Sequence, residues 1–206
     1  KFISFEGGDG TGKTTQIKML SEYLSSKNIL TKLTREPGGC KVSEDIRKIV
    51  LEGAVDKIDV FSELLLFTAA RHEHVKQVIT PCLKQGDWVL SDRFYLTTYV
   101  YQSYAGGLDF DFVKNLTKKA IGQVEPDLII LLDIPAEIGL KRSINNTITS
   151  YEKRFENKDI LFHENTRKGF LEMTSKIDNV IVINADQNIK KVHEDIIKEL
   201  KNRKLI

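Results

Sequence analysis

Short apolar runs alternate along the chain with longer stretches in which apolar side chains return every third or fourth position. Five short runs, at 2–6, 30–35, 88–91, 128–133 and 180–184, predict β-strands. The run Leu128-Ile129-Ile130-Leu131-Leu132 has no polar alternation, as expected of a strand covered by helices on both faces. The longer stretches predict helices at 14–26, 42–51, 60–84, 110–121, 137–143, 160–177 and 189–203. Strand then helix, repeated, implies a three-layer α/β fold around a parallel five-stranded sheet, with residues 1–206 forming one domain. The stretch 145–157 lacks apolar periodicity and is rich in Asn and Thr. It reads as a mobile loop over a site, within a lid placed at about 143–157.

Sheets of this kind bind ligands beyond the carboxyl ends of their strands, and the unusual polar clusters fall there: 7–14, 35–39, Asp92-Arg93 and Asp133. The first cluster, Gly7-Gly8-Asp9-Gly10-Thr11-Gly12-Lys13-Thr14, fits G-x-x-x-x-G-K-[ST] between a predicted strand and a predicted helix. Its glycines let successive N–H groups point into one concavity, and the helix behind adds the positive end of its dipole. Polyphosphate is the matching ligand, with Lys13 reaching the outer phosphates and the Thr14 hydroxyl holding a Mg2+ ion. Thr15 continues the same helix start. Arg35 and Arg93 follow strands on this side, and a planar guanidinium can hold two oxygens of an acceptor phosphate, so their setting favours that role over a surface ion pair.

Composition narrows the alternatives. With 41% apolar and 29% charged residues the chain is an ordinary globular protein. A net charge of +2, with Lys and Glu interspersed, provides no basic stripe for nucleic acid or an anionic membrane. No apolar run is long enough to span a membrane and the first residues enter a strand directly, so the expected compartment is the cytoplasm. Cys40 and Cys82 lack metal-ligand spacing and read as reduced thiols, and His72 and His74 read as helix-face residues.

Asp92-Arg93 resembles the D-R pair of nucleotide and nucleoside kinases, in which the Asp acts near the metal and the Arg clamps the acceptor phosphate. Together with Thr34-Arg35-Glu36-Pro37-Gly38-Gly39 the chain resembles the thymidylate kinase family. Phe5-Glu6-Gly7, Leu66-Phe67-Thr68-Ala69-Ala70-Arg71, Tyr101-Gln102, Leu131-Leu132-Asp133 and Gly139-Leu140-Lys141-Arg142 extend that resemblance over nearly the whole chain. It implies a P-loop nucleoside monophosphate kinase fold and the transfer of a phosphoryl group from ATP to dTMP with Mg2+, giving ADP and dTDP. Gly7 to Thr15 would hold ATP, Thr14 and Asp92 the metal, Arg142 would stack on adenine, and Asp186 would edge it. On the acceptor side the resemblance places Asp9, Arg35, Phe67, Arg71, Arg93, Thr97, Thr98, Tyr101 and Gln102. Phe67 and Arg71 are four apart and share a helix face, though periodicity alone would equally place Phe67 in the core. Tyr101 would guard against a ribose 2′-hydroxyl, and Asp9 would face the acceptor sugar and metal. A homodimer through helix faces at 42–70 is also implied.

Related enzymes carry a cation over the moving phosphoryl group either on an Arg in the P-loop or on arginines in the lid. Here the P-loop position is Gly10, which makes the chain resemble the lid-arginine bacterial type, yet 143–152 contains no Arg. With Arg142 assigned to adenine, Arg154 is the first choice for that cation and Lys153 the second, beside Lys13, Asp9 and Arg93 as catalytic residues. A deoxynucleoside kinase would share the P-loop and D-R pair, and a GTP-dependent switch the P-loop. The T-R-E-P-G-G string and Asp9 favour a phosphorylated acceptor, and N-K-x-D is absent.

Overall fold

A computed structural model describes residues 1–145 and 154–206. Five parallel strands, β1 (Phe2–Glu6), β2 (Thr31–Arg35), β3 (Trp88–Asp92), β4 (Leu128–Asp133) and β5 (Val180–Asn184), form one sheet in the order β2-β3-β1-β4-β5. The three central strands are buried almost throughout, whereas edge strand β2 is largely exposed and edge strand β5 alternates. Successive side chains of β4 serve opposite cores, as the two-residue period of a strand requires. Leu128, Ile130 and Leu132 pack with α1 (Lys13–Ser25) and α9 (Ile189–Asn202) through Leu20, Leu24, Ile196 and Leu200. Ile129 and Leu131 pack on the other face with Leu64, Val113 and Phe170 of α3 (Val60–His74), α6 (Phe110–Ile121) and α8 (Ile160–Met173). The remaining helices are α2 (Lys41–Leu51), α4 (Thr80–Lys84), α5 (Tyr95–Thr98) and α7 (Ala136–Asn145). No described helix is long and apolar enough to cross a membrane.

The register gathers the functional loops. Asp92 lies opposite Phe5 of β1 on one side and opposite Arg35 of β2 on the other, so the loops after β1, β2 and β3 open at one edge. Strand order changes direction at β1, the crevice where parallel sheets take ligands.

Two predicted helices are interrupted. The stretch 60–84 contains a π-helical turn, Val75–Ile79, between α3 and α4, and the Thr80 N–H reaches back to Val75 O. Pro81 stands at the start of α4. Its ring excludes regular pairing in the preceding turn, and the wider turn relieves that conflict. A second π-helical turn, Tyr99–Tyr104, follows α5. It sets the direction of Tyr101 and Gln102, both of which line the cleft described next. The predicted 160–177 helix ends as α at Met173 and closes with a 3₁₀ turn, Thr174–Lys176.

Candidate active site

A cleft of about 1560 Å³ opens at the carboxyl ends of the strands. It is lined on one side by the loop after β1 and on the other by α3, the loop after β2 and the segment after β3. Helices α3, α6 and α8 have Asp N-caps whose carboxylates accept first-turn N–H groups. Helix α1 has Gly12 at that position, with no side-chain cap and no acidic residue in its first turn. Its first N–H groups are therefore left to an anionic ligand. Gly10 has φ 68°, and a Cβ there would stand 1.9 Å from Gly139 O of α7. The loop is thus packed backbone to backbone on α7, and an Arg at this position has no room.

Lys13 is buried under the loop, where its ammonium donates to Gly8 O at 2.7 Å, Gly7 O at 3.2 Å and Thr11 Oγ1 at 3.4 Å. Burial first, then the Arg93 charge, push its pKa down to about 8 against the pull of Asp92, Asp9 and Glu6. Thr14 donates its hydroxyl to Asp92 Oδ2 at 2.7 Å. Both line the cleft, and a hydroxyl beside a carboxylate is the hard-oxygen pair that suits Mg2+ shared with phosphates.

Arg93 sits at φ 70°, an uncommon conformation for a side chain of its size, held by what it binds. It donates to Asp9 Oδ1 at 2.7 Å, Gly7 O at 2.9 Å and Thr97 Oγ1 at 3.1 Å, and its guanidinium lies 5.6 Å from the Tyr101 ring centre. Burial alone would raise the Asp9 carboxyl, but Arg93, with Lys13 behind it, holds it below the usual carboxylate range. Beneath them Glu6, fully buried, accepts from Phe94 N–H at 2.8 Å and Thr97 Oγ1 at 2.6 Å.

Burial pushes the Glu6 carboxyl up to about 7, with Thr97 and Arg93 opposing. The unfolded chain releases this proton near the ordinary value of 4.5. Between these values the folded protein holds a proton that the unfolded chain has lost. Stability should therefore fall as pH rises through that window, by about 3 kcal/mol in all. Glu6→Gln keeps the shape and should remove this slope. Urea midpoints of both proteins at about pH 5 and about pH 8 are the check, and an equal pH dependence refutes the assignment.

On the α3 side of the cleft Arg71 is buried, donating to Glu36 Oε2 at 2.7 Å, Thr98 Oγ1 at 2.9 Å and Phe94 O at 3.2 Å. Its Nη1 has no partner among the described residues. Phe67, half-buried, lines the cleft beside it, 6.2 Å from the Phe155 ring, which lies 5.6 Å from Tyr101. Arg35 is engaged by Glu44 at 3.0 Å. Arg142 donates to Ala185 O at 3.3 Å and lies 3.7 Å from Asp186 at the opposite end. Gly7 and Gly8 face a small cavity behind the loop instead of the main cleft, and act through their carbonyls on Lys13.

Arg154 corrects an expectation. It is 1% exposed and does not line the cleft. Its fork is spent on Glu63 at 2.6 Å and on the carbonyls of Val50, Ala54 and Ile58 at 2.8–3.2 Å. Four acceptors around one buried cation leave nothing to place over a phosphoryl group. Lys153 and most of the segment expected to form a lid lie outside the described residues. Glu63 also accepts from Gln102 at 3.0 Å, so Arg154 is tied through it to the cleft-lining segment after β3. Glu6, Glu36, Glu63, His74 and Phe155 are residues to which the sequence reading gave no role at the site. Glu36 stood within the T-R-E-P-G-G string, and the i,i+3 spacing of Arg71 and His74 was the available signal for the latter.

A P-loop facing Arg35, Arg71 and Arg93 in one cleft defines a phosphotransferase that brings two anionic substrates together. The thymidylate kinase family model matches residues 5–196. A thymidylate kinase of Magnetococcus marinus is 44% identical over 98% of this chain and 96% of its own length, and one of Geobacter sulfurreducens is 47% identical over 84% and 82%. A crystal structure of thymidylate kinase from Ehrlichia chaffeensis superposes with a TM-score of 0.76 at 34% identity, covering 97% of both chains. The chain belongs to the thymidylate kinase family.

Proposed function

We propose that the protein transfers the γ-phosphoryl group of ATP to dTMP, giving dTDP and ADP. An oxygen of the dTMP phosphate forms the new bond to the γ-phosphorus while the bond to the bridging oxygen of ADP breaks. The residues of this chain mainly position the two anions and offset their charge. Lys13 and the free N–H groups of α1 hold the donor phosphates, with Thr11 and Thr15 on the same wall. Arg142 stacks on the donor base, and Asp186, 3.7 Å from Arg142, edges that base. Arg93 and Arg35 orient the acceptor phosphate, and Asp9 turns Arg93 toward it. Thr14 and Asp92 would hold Mg2+, which when bound offsets charge on the phosphates. Residues 143–157 act as the lid. The enzyme is cytoplasmic, as its two free cysteines support. It is a homodimer through α2 and α3, where Val42, Ile49, Phe61 and Leu65 are exposed, and sedimentation would show the doubled mass.

The observation that carries the choice of acceptor is Arg71. Arg71 lines the cleft with Phe67, one helical turn away, and its buried Nη1 has no partner among the described residues, which makes it a donor for the carbonyl of a pyrimidine stacked on Phe67. Cytosine would present an amino group to that donor and leave it unpaired, at a cost of about 1–3 kcal/mol. Steady-state turnover should therefore favour dTMP over dCMP by roughly ten- to a hundredfold. Discrimination against dUMP, which keeps the carbonyl and lacks one methyl, should be smaller, worth about 1 kcal/mol. Equal use of dTMP and dCMP would refute this pocket.

A further inference from the structure

Arg71 is held from behind by a chain of polar side chains that phosphoryl transfer does not itself use. Glu36 places Oε2 2.7 Å from Arg71 Nε and Oε1 2.9 Å from His74 Nδ1. His74 Nε2 in turn lies 2.6 Å from Thr34 Oγ1. Glu36 and Arg71 are buried and His74 has no exposed surface at all. Gly39 belongs to the same arrangement, since a Cβ there would stand 2.4 Å from His74 Cδ2 and 2.6 Å from Thr34 Oγ1. Burial alone would raise the Glu36 carboxyl, but Arg71 and His74 hold it below the usual range. An ionised carboxylate only accepts, so the hydrogen-bond network assigns the proton to His74 Nδ1.

A guanidinium is planar, with its five N–H groups in fixed directions, so fixing Nε and Nη2 also fixes Nη1. Nε is fixed by Glu36, and the Glu36 carboxylate is kept from turning by its second bond to His74. We propose that His74 is a positioning residue for pyrimidine selection: through Glu36 it sets the plane of Arg71 and hence the direction of the unpaired Nη1–H. The inference rests on the reading of Arg71 as the group that meets the pyrimidine carbonyl.

His74→Leu removes the donor to Glu36, and His74→Asn restores an N–H near the Nδ1 position. In steady-state assays of the whole chain, His74→Leu should raise KM for dTMP about tenfold and cut the dTMP over dCMP preference by a similar factor, as expected for one lost charge-assisted bond. KM for ATP should stay unchanged and kcat should move less than about threefold, since the contact is made equally before and during transfer. His74→Asn should recover most of both losses. A folded His74→Leu protein with wild-type KM and preference overturns the proposal. Should His74→Leu fail to fold, Thr34→Val decides, because it loosens only the far end of the chain. It should weaken KM and preference about two- to threefold, in line with a neutral hydrogen bond, and an unchanged preference overturns the proposal equally. Arg71→Ala measured alongside separates the two readings. If it leaves the preference intact, Arg71 does not meet the base. If it abolishes the preference while the His74 and Thr34 variants keep it, only the role of His74 fails.

Discussion

Lys13→Met lowers the rate of phosphoryl transfer by about a thousandfold at saturating ATP and dTMP while the chain keeps its fold. The size follows from removing one preorganised charge aimed at a group whose negative charge shifts during reaction, worth about 10²–10³ in rate. Methionine fills the space of the lysine stem, so the change is electrical and not one of packing. Lys13 also donates to Gly7 O and Gly8 O, and losing those bonds should cost about 1 kcal/mol of stability, well short of unfolding. With burial and Arg93 holding its pKa at about 8, Lys13 is in large part protonated at neutral pH and is poised to gain from an incoming polyphosphate. Quenched-flow single turnover gives the rate and a thermal melt the fold. A folded Met variant within tenfold of wild type would remove Lys13 from the phosphate site.

Arg154→Ala destabilises the protein by about 3–5 kcal/mol, the usual consequence of leaving one partner of a buried ion pair alone. Glu63 would remain buried with Gln102 as its one donor among the described residues, and the carbonyls of Val50, Ala54 and Ile58 would lose their common donor. The kcat of the molecules that stay folded should change only a few-fold, in contrast to the ~10³ expected of a cation acting on the phosphoryl group. Urea unfolding and active-site-normalised kcat separate the two outcomes. Double replacement with Glu63→Gln should recover part of the lost stability, since the stranded charge is then gone. A thousandfold loss of kcat with an unchanged urea midpoint would return Arg154 to the transferring phosphoryl group.

The P-loop and the sheet were legible because both depend on local chemistry. Gly7 to Thr14 between an apolar run and an amphipathic stretch has few other uses, and the unbroken apolar run of β4 requires two covered faces. The loops after β1, β2 and β3 were foreseeable as neighbours, since parallel strands place their carboxyl ends together. Depth was not legible. Arg154 stands in a polar stretch, and nothing in its neighbours told that the chain folds back over the end of α2 and buries it among three carbonyls and Glu63. His74 likewise has an ordinary helical position, three after Arg71. Only the docking of α3 against the loop after β2 puts its ring between Thr34 and Glu36 and requires glycine at position 39. The π-helical turns at 75–79 and 99–104 escaped for the same reason, because hydrophobic periodicity reports a face of the chain and not the hydrogen-bond spacing within it. Sequence alone determined the P-loop motif, the sheet and the family, each written in contiguous residues. Tertiary structure decided which cations reach the cleft and which are consumed beneath it, because buried charges take their roles from partners far away in the chain.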